Sequence, residues 1–316
     1  MASGALSLLE AAKSGTDQKK RGVIETIIQE SPIIEMLPWT TISGNALKHS
    51  VEDTLPSVGF RQVNASYSSS YGTDSEHYWG VAILGGEVKV DNFLVDVVGS
   101  EEDIEAKQWI KLAKANAMRF DYEAFNGDGT GNGFKGLKQL IAEGFGQTST
   151  AGANGATLTL DMLDVAHDLF RNQGAADAIM INRTLRRKIT SLARSSVTGI
   201  SLIDVGSDVF GRQVTQWNGV PLRIIGDVID GSGNVVPGLP GTEVQGSSGA
   251  TCASMYFIKF GEDDVTGLLG KGGSFSVKSF GEQQASPQRM GRLEWYPGMA
   301  IFNQYSVVRL AGVTNA

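Results

Sequence analysis

The sequence predicts an α+β fold with one dominant helix, a long β-hairpin and a separate α/β unit. Three observations carry that prediction. Residues 99–126 repeat apolar side chains at alternating steps of four and three, the period of one helix face. Residues 41–98 sustain no helical period; apolar and polar residues alternate instead, most clearly where Glu87 and Lys89 lie opposite Val88 and Val90. Residues 141–279 mix short apolar runs with amphipathic helices.

Residues 1–40 read as an arm. Ala5, Leu8, Leu9 and Ala12 have helical spacing, and Gly15 ends that pattern. Val23, Ile24, Ile27 and Ile28 form a second short stripe, which Ser31-Pro32 stops because the residue before proline avoids the helical region. Two such helices cannot build a core together. Their stripes need another surface, in this chain or in a neighbour.

Residues 41–98 read as a long hairpin whose polar tip, residues 64–75, separates two strand-like arms. A hairpin that polar is marginal alone in water, so it must lie on something. Residues 99–126 follow as the strongest helix. Ser100 is a good N-cap, and Glu101, Glu102 and Asp103 suit the positive end of the helix dipole. Ala106, Ile110, Ala113, Ala117, Phe120 and Ala124 share one face, and its alanines invite close approach. Met118, Tyr122 and Phe125 form a bulkier stripe, while Lys107, Lys111 and Lys114 read as a solvated face.

In the α/β unit, Thr159 precedes a helix that turns Met162, Val165, Ala166, Leu169 and Phe170 to one side. Residues 178–181 read as a buried strand. Asn182 then caps a helix over residues 183–194, with Leu185, Ile189 and Leu192 inward. Residues 220–225 and 255–260 read as strands, and residues 230–251, rich in Gly, Ser and Pro, as a loop. Residues 292–311 carry two further strands hinged at Pro297-Gly298.

Composition narrows the function classes. Only 19% of the 316 residues are charged, below the usual quarter, and 40 are glycine, which suggests many turns and much surface set against partners. The net charge of −7 argues against tight non-specific binding of nucleic acid by the whole chain. The lone cysteine, Cys252, allows no intrachain disulfide and fits a reducing cytoplasm. No secretory signal pattern opens the chain, and no apolar run reaches the roughly eighteen residues of a membrane span.

The glycine-rich stretch GDGTGNG, residues 127–133, imitates a phosphate cradle. No Lys-Ser or Lys-Thr pair closes it, and it follows the negative end of the long helix, which repels phosphate. It also lacks the full acidic ladder of a calcium loop. Turn chemistry explains it: glycine past a helix end, then Asp-Gly and Asn-Gly corners. His49, His77 and His167 show no metal-ligand spacing, and no G-x-S-x-G elbow occurs. Glu262, Asp263 and Asp264 read as a solvated turn, and Arg186, Arg187 and Lys188 are too few for specific nucleic-acid recognition.

Several stretches, taken in order, resemble the major capsid protein of tailed phages, the Hong Kong 97-type fold shared with encapsulins. LPSVGFRQVN at residues 55–64 resembles the ascending strand of that family's extended loop, and GGEVKVDNFLVD at residues 85–96 the descending one. Residues 100–126 resemble the spine helix, and NGDGTGNGFKGL at residues 126–137 the turn that commonly follows it. MINRTLRRKITSL at residues 180–192 and GVPLRIIGDVI at residues 219–229 resemble parts of the axial domain.

The resemblance implies an N-terminal arm (1–40), an extended loop (41–98), a peripheral domain (99–140 with 280–316) and an axial domain (141–279). It implies a subunit that forms pentamers and hexamers of an icosahedral head around double-stranded DNA, which it touches only non-specifically. It implies no catalytic residue, no cofactor, no metal and no membrane. Its partners would be copies of itself, a portal, a separate scaffolding protein (or a removed scaffolding segment) and possible decoration proteins. The particle would be a virion assembled in the host cytoplasm. Ile24, Ile27 and Ile28 of the arm, with Phe60, Arg61, Tyr67 and Tyr71 of the hairpin, are the candidate intersubunit contacts. Some relatives crosslink a hairpin lysine to an asparagine; Lys48, Lys89 and Asn303 read here as ordinary exposed residues. The alternatives are an encapsulin-type compartment and a nucleotide-binding α/β enzyme built on residues 127–133.

Overall fold

The computed structural model describes residues 27, 31–94, 101–170, 174–195, 203–207, 213–246, 249–271, 275–284 and 286–314. The first described helix, α1 (Pro32–Met36), starts where the sequence places a stop. Ser31 is its N-cap and accepts a hydrogen bond from the Ile34 amide at 3.2 Å. Proline fits the first helical position because its missing N–H would have had no partner there. Ile33 and Ile34 are buried, and so is Ile27 just before them.

The chain then runs through β1 (Trp39–Thr41) into a two-stranded hairpin, β2 (Ala46–Thr54) and β3 (Thr73–Gly80). The pair is in register from Ala46 opposite Gly80 to Thr54 opposite Thr73. Residues 55–72 beyond it form no ladder. Next comes β4 (Leu84–Asp91), with Val88 and Val90 buried and Glu87 and Lys89 exposed, the alternation read from the sequence.

β4 is not the returning arm of the hairpin. That arm is β3, whereas β4 joins a sheet with β15 (Ser276–Glu282) and β16 (Gln288–Trp295), in the order β15-β16-β4. Its register runs from Leu84 opposite Trp295 to Asp91 opposite Gln288. The reason is physical. The apolar face of β4 needs cover, and α2 (Glu101–Asn126) lies across this sheet to supply it.

At 26 residues, α2 is about 39 Å long. Ala113, Ala117, Phe120 and Ala124 are fully buried, as their spacing predicts. The first turns differ: Ala106 and Ile110 face solvent, and Trp109 is buried in their place. Gly291 of β16 makes the room. A Cβ there would stand 2.2 Å from the Trp109 ring, so only glycine admits the indole between helix and sheet. Ser100 lies outside the described residues.

α3 (Leu137–Ala142) and β5 (Gln147–Thr150) lead into a large mixed sheet. Its helices are α4 (Leu160–Asp168), capped by the Thr159 side chain, and α5 (Arg183–Ser195), where Asn182 Oδ1 accepts from the Leu185 amide at 2.8 Å. β6 (Ala178–Ile181) is buried along its whole length. The remaining strands of this half are β7 (Ile203–Ser207), β8 (Gln213–Trp217), β9 (Val220–Ile224), β12 (Glu243–Gln245), β13 (Ala250–Ile258) and the C-terminal β18 (Val307–Thr314). The path is β5-β18-β13-β6-β9-β8-β7, with β12 on β13. The segment 230–251, read as a loop, holds β12 and β11 (Val235–Pro237), and β11 pairs in a small hairpin with β10 (Asp227–Ile229) just before it. A third sheet, β1-β14-β17, is built on β14 (Val265–Leu269) and β17 (Pro297–Ile301).

The large sheet stands between two cores. On β6 and β13, Met180, Tyr256 and Ile258 belong to one core, while Ile179, Ile181, Met255 and Phe257 belong to the other. The first core also takes in α1, α2 and the root of the hairpin. Its centre is aromatic: Trp295 lies 4.9 Å from Phe120, 5.4 Å from Trp39 and 4.5 Å from Phe275, ring centre to ring centre.

Candidate assembly surface

The hairpin tip interleaves large apolar side chains with the polar residues that the sequence shows there. Leu55, Val58, Phe60, Val63, Tyr67 and Tyr71 all stand in solvent, and Phe60 is as open as it would be in an isolated peptide. The tip keeps its shape through polar side chains instead of a ladder. Thr54 and Thr73 hydroxyls lie 2.7 Å apart, and the Ser57 amide donates to Ser70 Oγ at 2.8 Å. Arg61 donates to the carbonyls of Gln62 and Ala65 and lies over the Tyr67 ring at 5.3 Å, while Asn64 takes the left-handed conformation that turns the chain. Apart from Tyr67, these local contacts close the tip without using its large apolar side chains.

The root is anchored by rings. His49 and His77, cross-strand partners, pack edge-on against Phe302 and Phe145 at 4.9 and 4.6 Å. Trp79, the one buried residue of β3, adds a second contact to Phe145 at 4.8 Å. The Ala82 amide donates to the Pro297 carbonyl at 2.8 Å. Two hollows border this root. One, of about 520 Å³, lies between β3 and the glycine-rich turn; the other, of about 640 Å³, lies between β2 and residues 302–305.

Of the seven candidate contacts, Phe60, Arg61, Tyr67 and Tyr71 are exposed on one segment. Ile27 is fully buried in the core of its own chain. Ile24 and Ile28 lie outside the described residues. Leu55, Val58 and Val63 belong to the same surface and were missed. Their signal was present, since apolar residues in a segment too polar to fold alone have no core to enter.

The glycine-rich turn has a structural explanation. The Gly127 amide bonds the Glu123 carbonyl at 3.0 Å and ends α2, and the Gly136 amide returns to the Gly127 carbonyl at 2.9 Å. Asp128 accepts from the amide and hydroxyl of Thr130, which hold its carboxyl below the usual range. Lys48 pairs with Glu76 at 2.5 Å, Lys89 with Glu87 at 3.7 Å, and Asn303 Oδ1 accepts from the Tyr305 amide. His167 packs between Phe170 and Trp217. Among the described residues no three His, Cys, Asp or Glu side chains are placed to hold a metal ion, and no helix is long and apolar enough to cross a membrane.

No protein-family model matches the chain, and neither does any curated protein. Solved structures do match. The encapsulin SrpI of Synechococcus elongatus PCC 7942 is similar over 90% of this chain and 88% of its own, with a TM-score of 0.62 at 16% identity. A Microbacterium phage structure, Oxtober96, is similar over 89% and 90%, with a TM-score of 0.61 at 16% identity. The virus-like particle of Pyrococcus furiosus is similar over 96% and 98%, with a TM-score of 0.53 at 9% identity. The chain has the Hong Kong 97-type fold, as its sequence resemblance implied. The matching structures include an encapsulin complex, phage capsid proteins and a virus-like particle.

Proposed function

We propose that this chain is the repeating subunit of a closed icosahedral shell, the major capsid protein of a tailed-phage head around double-stranded DNA. One observation carries the proposal: a hairpin tip that turns six large apolar side chains into solvent on one continuous segment, on a chain whose described residues form two buried cores. Such a patch marks an interaction surface, and a shell of identical copies supplies its cover. The four-region division expected from the sequence belongs to this reading, as do the portal, a scaffolding protein and decoration proteins. The role is structural and needs no catalytic group.

A second reading is an encapsulin-type compartment, supported by an encapsulin likeness equal to the phage likeness. Electron microscopy of the purified protein tests the shell in both readings, and nuclease-protected DNA inside the particle separates the first from the second. Phe60→Asp combined with Tyr71→Ser should leave a folded subunit that forms no shells. Shells of normal yield from that variant would refute the role of the tip.

A further inference from the structure

The chain contains four Asn-Gly pairs, at residues 126–127, 132–133, 154–155 and 218–219. Such a pair can react unaided. The glycine backbone nitrogen attacks the asparagine Cγ, and a new C–N bond forms. The side-chain nitrogen leaves as ammonia, taking through solvent the proton that the glycine amide gives up. Water then opens the cyclic imide to aspartate or isoaspartate. The step needs no oxidant or cofactor, only a free glycine N–H and a backbone able to swing the side chain over it. Asparagine is thermolabile for this reason.

Three of the pairs lack one of those conditions. At Asn126, the Gly127 amide is bonded to the Glu123 carbonyl at 3.0 Å, and the side-chain amide donates to the Gly238 carbonyl at 2.8 Å. At Asn154, the Gly155 amide is bonded to the Gly152 carbonyl at 3.3 Å, and Asn154 is itself engaged. Asn218 sits in the two-residue turn between β8 and β9, with φ at 48° beside Gly219 at 80°. Ring closure would require it to leave that left-handed conformation, which would break the paired and buried Trp217 and Val220 on either side.

Asn132 meets neither obstacle. It is exposed, and among the described residues neither its side chain nor the Gly133 amide has a hydrogen-bond partner. It lies between two glycines; a Cβ at Gly131 would meet nothing within 4 Å, and at Gly133 only the side chain of Glu123. It also lines the 520 Å³ hollow against the hairpin root, with Glu76 and Glu143. We propose that Asn132 is a deamidation site of this chain, which converts ahead of the other Asn-Gly pairs and places a new negative charge at the root of the hairpin.

The test is peptide mass spectrometry on the purified protein held at mildly alkaline pH. Asn126 and Asn132 share the tryptic peptide that ends at Lys135, so fragment ions must assign the conversion. Asn132 should convert severalfold faster than the other three in the native protein, while all four convert at similar rates in denaturant. Asn132→Gln should remove the acidic form that accumulates on an isoelectric gel. Faster conversion at Asn218, or an intact Asn132 where the denatured chain reacts, would overturn the proposal.

Discussion

Asp121→Asn should make this protein more stable as pH rises, and the size of the effect follows from the burial of one carboxyl. Asp121 lies in the C-terminal part of α2, with its carboxyl buried. Its partner is the Ser31 hydroxyl, which donates to it while capping α1. Burial pushes the Asp121 carboxyl up to about 8 from an ordinary 3.8, and the Ser31 hydrogen bond only partly opposes that. An acid raised in this way favours the folded chain fully at low pH, and the contribution fades as pH climbs through the folded value. Each pH step between the two values removes about 1.4 kcal/mol, so the whole span amounts to on the order of 5 kcal/mol. Detachment of α1 sets a ceiling on the loss, because an open Asp121 can ionise in water. Asparagine keeps an oxygen for Ser31 and carries no charge at any pH. Urea unfolding of dispersed subunits, followed from about pH 4 to about pH 9, should show variant and wild type nearly equal at the acid end. The variant should be the more stable by at least about 2 kcal/mol at the alkaline end. Parallel pH profiles would show that Asp121 does not titrate in the folded chain and would refute the argument.

The core and its polar seams give further expectations. Ile27→Ala should destabilise the dispersed subunit by about 2–5 kcal/mol, the cost of a large-to-small change at a fully buried site; no shift in urea midpoint would return Ile27 to the list of contact residues. Gly291→Ala should cost about 1–3 kcal/mol or more, because its Cβ enters the Trp109 ring, and the tryptophan emission should change with it. Burial pushes the Glu243 carboxyl up, but Lys138, Ser254 and Arg309 converge on it and hold it below its ordinary 4.5. The stability it contributes is complete above about pH 4.5 and is lost as pH falls through the lower folded value. Glu243→Ala should therefore cost about 3–5 kcal/mol near neutrality by leaving those donors behind, and acid titration of its thermal midpoint should be flatter than that of the wild type.

Much of this fold was legible because its elements are locally self-consistent. The helix over residues 101–126 and the helix after Asn182 carry their own period, the second also its cap, and both stand within a residue or two of their expected limits. Partner choice was not legible. The alternation in β4 shows that one face is covered, but not that its ladder partner is β16, about two hundred residues along the chain. For the same reason the period of α2 misplaced its first turns: Trp109 is inward because Gly291 leaves a gap there, and no local pattern records that gap. The arm erred in the other direction. A short apolar stripe says that it must be buried but not by whom, and for Ile27 the answer is its own chain.

The hairpin tip poses the same question, with a different answer in the folded chain. Residues 55–72 satisfy their backbone and small polar groups locally, through Ser57, Ser70, Arg61 and the Thr54–Thr73 pair, yet bury none of their large apolar side chains. Fully burying side chains of that size is worth about 1.5–3 kcal/mol each, so six of them held open on one segment represent a large unused driving force. A monomer selected to act alone would be expected to replace them, since an exposed apolar segment invites aggregation. Their retention on a segment already shaped by its own polar contacts is what a preformed interface requires: little ordering remains to oppose association. That is why the site is legible as a surface in the sequence while its partner is not. The chain encodes the shape and chemistry of the tip; in the proposed shell, its cover is another copy of the chain.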